Sequence, residues 1–80
     1  MPTVLRKDGF EVMIHTDDHV PPHVHVYKAE GLLIVNLGSR TEAPSVRSSY
    51  DLKAKDERKA FALAVENQDV LLEEWRRLHE

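Results

Sequence analysis

The feature that most constrains this chain is a change of hydrophobic period near residue 50. Before it, Phe10, Val12 and Ile14 alternate with Glu11, Met13 and His15, and Val24 and Val26 alternate with His23, His25 and Tyr27, the period of two that half-buried strands require. After it, Leu52, Ala60, Phe61, Ala64 and Val65 recur at helical spacing, followed by Leu71, Leu72, Trp75 and Leu78. Strands first and helices last imply an α+β fold. The expected architecture is an antiparallel β meander of about four strands in residues 1–37, followed by two C-terminal helices packed on one face.

The expected strands are residues 3–6, 10–15, 23–28 and 32–37, with turn chemistry at Asp8-Gly9 and at Gly31. Residues 16–22 read as a loop, because two aspartates and two consecutive prolines disfavour both helix and central strand. That loop is expected to be stiff, with trans proline bonds as the simplest reading and a cis Val20–Pro21 or Pro21–Pro22 bond left open. Residues 38–50, rich in Ser, Thr, Gly and Pro, fit either a loop or an extra edge strand, and no chemistry is assigned to them. The helices are placed at about residues 54–66, ended by Asn67, and onward from Asp69 as N-cap. Their apolar stripes need apolar surface to cover, so they are expected on the Val24/Val26 side, with Trp75 buried there. The side carrying His23 and His25 is then expected to face solvent or a partner.

Eighty residues make a single domain, 1–80, with one small core. There is no cysteine, which removes disulfides and thiolate chemistry and fits a reducing cytoplasm. The first residues lack the apolar run of a signal peptide, and no apolar stretch approaches membrane-spanning length. A cytoplasmic protein with no membrane partner is expected. Net charge is −3, with five basic and six acidic side chains in residues 1–50, so neither half is a basic nucleic-acid patch. Four of the five histidines lie in that first half, and affinity for polyanions would rise in mild acid.

The chemistry is concentrated in DHVPPHVHVYK, residues 18–28. On a strand, His23 and His25 share a face with Cα atoms ~7 Å apart, close enough for both rings to reach one ligand. Three readings stay open. As an acid/base site, His19, His23 and His25 are the candidate catalytic groups, with Asp18, Arg6, Lys28 and Tyr27 as substrate-binding residues. RNA cleavage without metal needs such a pair and a cation for the phosphate. As a metal site, His19, His23 and His25, with the aspartate upstream, form a plausible set for zinc or another divalent ion. The acid/base reading needs no cofactor. As a binding surface, the same open face would dock a partner without turnover.

The opening MPTVLR, the string DHVPPHVHVYK and the ending VENQDVLLEEW together resemble the bacterial domain-of-unknown-function family 4160. What the resemblance implies is a DhiT-type toxin of a type II toxin–antitoxin pair, with a small cognate antitoxin protein as partner. Its signature falls on Asp18, His19, Pro21, Pro22, His23 and His25, all present here. The family supplies a biological role and no settled chemistry.

Overall fold

The computed structural model describes residues 3–79. Five strands, β1 (Thr3–Lys7), β2 (Phe10–Met13), β3 (His23–Lys28), β4 (Gly31–Asn36) and β5 (Ser45–Tyr50), precede two helices, α1 (Ala54–Glu66) and α2 (Gln68–His79). The strands form one antiparallel sheet in sequence order, β1-β2-β3-β4-β5. The expected meander is therefore present, and the segment after residue 38 contributes a fifth strand at the edge.

Local chemistry explains most of the connections. Asp8 and Gly9 both have positive φ between the paired residues Lys7 and Phe10, the two-residue turn that Asp-Gly favours. Gly31 opens β4 where a Cβ would run into the Leu52 side chain and the Asp51 carbonyl. The Val20–Pro21 bond is cis, the less common of the two forms left open by the sequence. Gln68 holds the β4–β5 connection by donating its side-chain amide to the carbonyls of Leu37 (2.7 Å), Ser39 (3.0 Å) and Glu42 (3.1 Å).

Both helices lie on the Val24/Val26 face. Val12, Val24, Val26, Leu33 and Val35 are buried with Ala60, Leu63, Ala64, Leu71 and Trp75. Small residues on α1 allow close approach to the sheet, and α2 contributes the bulk. Val65, expected in the α1 stripe, is exposed, and Leu63 takes the buried position instead. Asp69 lies inside α2 and not at its cap, because the helix begins at Gln68 directly after the Asn67 C-cap of α1.

Candidate functional site

β3 presents His23, His25 and Tyr27 on the side opposite its valines, as alternation requires. His25 and Tyr27 are half-buried there. His23 departs from the expectation of solvent access: only 4% of it is exposed. As the first residue of β3 it sits at the end of the sheet, where Trp75 of α2 reaches it with ring centroids 5.2 Å apart. Residues 16–22 fold back over the same end and bring Asp18 to both imidazoles.

Hydrogen bonding fixes the state of the His23 ring. Nδ1 donates to the Pro21 carbonyl at 2.9 Å. A carbonyl only accepts, so in the neutral ring Nε2 is left with a lone pair. That lone pair lies 3.2 Å from Asp18 Oδ2, and His25 Nδ1 lies 3.7 Å from the same oxygen. Asp18 Oδ2 and His25 Nδ1 are both buried with no hydrogen-bond partner among the described residues. Leaving buried polar atoms unpaired costs about 1–3 kcal/mol each. A proton on His23 Nε2 would relieve one contact, whereas a divalent cation between the three atoms would relieve all of them.

The dimensions suit such an ion. Zinc bonds of ~2.0–2.2 Å in tetrahedral geometry place neighbouring ligand atoms roughly 3.3–3.6 Å apart. The two separations from Asp18 Oδ2, 3.2 and 3.7 Å, bracket that range, and Asp18, His23 and His25 each offer a ligand atom within 4.8 Å of the others. A ligating histidine usually donates its other ring nitrogen to a carbonyl or carboxylate, as His23 does to Pro21. Burial, and then the neighbouring His15, hold His25 below its ordinary value of 6.5; Asp18 pulls the other way, and His23 and Arg47 add smaller downward effects. His25 is therefore mostly neutral at pH 7, the form that binds metal.

The other expected residues divide sharply. Tyr27 belongs to the cluster: its hydroxyl is hydrogen-bonded to His15 Nε2 at 3.3 Å, and its ring stacks with His25 at 6.2 Å. Asp18 is a ligand candidate in its own right. His19 is exposed and is not among the residues whose ligand atoms converge. Arg6 pairs with Glu11 at 2.8 Å on β1. Lys28, at the far end of β3, pairs with Asp56 of α1 at 3.1 Å and lies over the Phe10 ring, so it serves the helix side.

Two histidines at element ends, which the sequence reading leaves without a role, join instead. His15 packs against His25, with centroids 4.2 Å apart. The register Val12↔Val26 and Met13↔His25, extended by two residues, brings His15 opposite His23, so strand pairing was the signal. His79 stacks on Trp75 at 3.8 Å and donates from Nε2 to the Asp18 carbonyl at 3.2 Å. No local pattern could have announced a contact across 61 residues. A cleft of about 1020 Å³ between α2 and Ser39–Arg40 borders Trp75 and His79, but none of the three converging residues lines it.

Fold and site together define a small α+β domain with a partly buried Asp–His cluster at one end of its sheet. Residues 9–76 match the family described as Domain of unknown function (DUF4160), and the chain belongs to that family. No curated protein and no solved structure matches it. Among the described residues, no helix is long and apolar enough to cross a membrane.

Proposed function

We propose that the protein is a small metal-binding domain whose Asp18 Oδ2, His23 Nε2 and His25 Nδ1 hold one divalent cation of the zinc class. The observation that carries this reading is the convergence of three ligand atoms, two of them buried without a partner. One carboxylate and two neutral imidazoles form a donor set that zinc and other borderline divalent ions favour over magnesium or calcium. Calorimetric titration of chelator-treated protein with zinc should give one equivalent bound. At a free zinc concentration 100 times Kd the fold gains about 2.7 kcal/mol. Asp18→Ala should cut that gain to what the two imidazoles retain and His23→Gln should cut it as deeply, and a wild-type protein that takes up neither zinc nor cobalt sinks the reading.

The toxin role implied by the family resemblance is a second reading, favoured by a different observation. The helices leave one sheet face uncovered, and Met13, Tyr27, Leu32 and Ile34 are only half-buried on it. A cognate antitoxin in the bacterial cytoplasm would cover such a face. RNA as substrate draws less support from the charges, since Arg6 is paired with Glu11 and the Arg47 Nε with Asn36. Expression in a bacterial host should arrest growth, and normal growth at high expression would remove the toxin role.

A further inference from the structure

Resting on the metal reading above, we propose that His79 is a positioning residue of the centre: by gripping the Asp18 main chain it couples cation binding to docking of the last turn of α2. Two of the three ligands, His23 and His25, stand on β3 and are held by ladder pairing on β4. Asp18 alone comes from a loop. Its main chain is held by two hydrogen bonds: its N–H donates to the His15 carbonyl at 3.1 Å, and its own carbonyl accepts from His79 Nε2 at 3.2 Å. Removing the second leaves the Asp18 main chain with the His15 bond alone, the next anchors lying three and four residues on, at the Pro21 carbonyl held by His23 and the Pro22 carbonyl held by Leu37.

The grip is itself built. His79 Nδ1 lies 2.8 Å from the Trp75 carbonyl one turn earlier; each ring nitrogen thus faces a carbonyl, and both bonds form together only in the imidazolium, whereas the neutral ring donates to one of them. The His79 and Trp75 rings stack at 19°, and Trp75 in turn lies against His23. One helical turn therefore touches two of the three ligand residues, Asp18 through its backbone and His23 through its ring. Partners that orient metal ligands are typically worth 10–100-fold in affinity.

The test is zinc affinity, read by competition with a chromophoric chelator, in wild type, His79→Ala and His79→Gln, alongside melting of the metal-free proteins. His79→Ala should weaken zinc binding 10–100-fold with little change in metal-free melting, because it sits in the last turn of α2 and fills none of the buried apolar core. His79→Gln keeps a side-chain donor and should recover part of the affinity. In an Asp18→Ala background, His79→Ala should have no further effect on whatever affinity His23 and His25 retain. Wild type that binds no zinc overturns the metal reading and this proposal with it. Wild type that binds, with His79→Ala binding equally well, overturns the positioning role and leaves the metal reading standing. A His79→Ala loss matched by an equal fall in metal-free stability, or undiminished without Asp18, marks a purely structural contact and also overturns it.

Discussion

Val24 and Val26 on one face of β3, and His23 on the other, are hidden from solvent to nearly the same degree, at 0%, 0% and 4% exposure. The causes and the energetic signs differ. The valines are covered by α1 and α2, and removing their apolar surface from water stabilises the fold. His23 is covered by a loop and one tryptophan ring, and burying polar atoms costs free energy unless each finds a partner. Equal burial thus marks the framework on one face and a site with unmet bonding capacity on the other.

Trp75 belongs to both faces, since it closes the core and also covers His23, so its loss should break the comparison most completely. Trp75→Ala should cost about 3–5 kcal/mol, a large share of the stability of so small a domain, measured by denaturant unfolding. Cooperative unfolding at the wild-type midpoint would show that neither face depends on it. Val26→Ala should sharpen the comparison, costing about 2 kcal/mol while zinc affinity per folded molecule stays within twofold. A parallel loss of zinc would mean that the two faces are not separable.

The smallest expected effect is a pH dependence confined to the histidine face. The His25 pKa is lower folded than unfolded. On acidification through about 6.5 the unfolded chain takes up a proton that the folded chain resists, so metal-free stability falls with falling pH. The contribution is fully present above the ordinary value and is lost below it. Melting of chelator-treated protein between pH 7.5 and 5.5 should decline, and His25→Gln should flatten part of the decline. Superimposable profiles would remove His25 as the cause.

Alternation along residues 10–15 and 23–28 gave the strand faces correctly, and helical spacing from residue 54 placed both helices on the valine side. These are local periodicities, readable because each face meets one uniform environment. β5 was ambiguous because Ser45, Val46, Arg47, Ser48 and Ser49 show no clean alternation, as suits an edge strand with little to bury. The site was half legible. Asp18, His23 and His25 stand within eight residues of one another, but the loop sets which of Asp18 and His19 turns inward, and pairing across the sheet sets the place of His15. The burial of His23 and the contact from His79 depend on where α2 ends, which no window of sequence contains.

A meander in strict sequence order leaves two naked edges, β1 and β5, and naked edges invite copies of a chain to pair end to end into aggregates. Both carry a defence. The pairing slips between Thr3 and Leu5 on β1, and between Ile34 and Val35 where β4 meets β5, and such irregularities twist an edge away from flat apposition. Exposed Arg6 and Lys7 on β1 and Arg47 on β5 add like charges that repel an approaching twin. The borders of this sheet are irregular and carry cations, features that disfavour such pairing, while its centre is regular and apolar on the helix side.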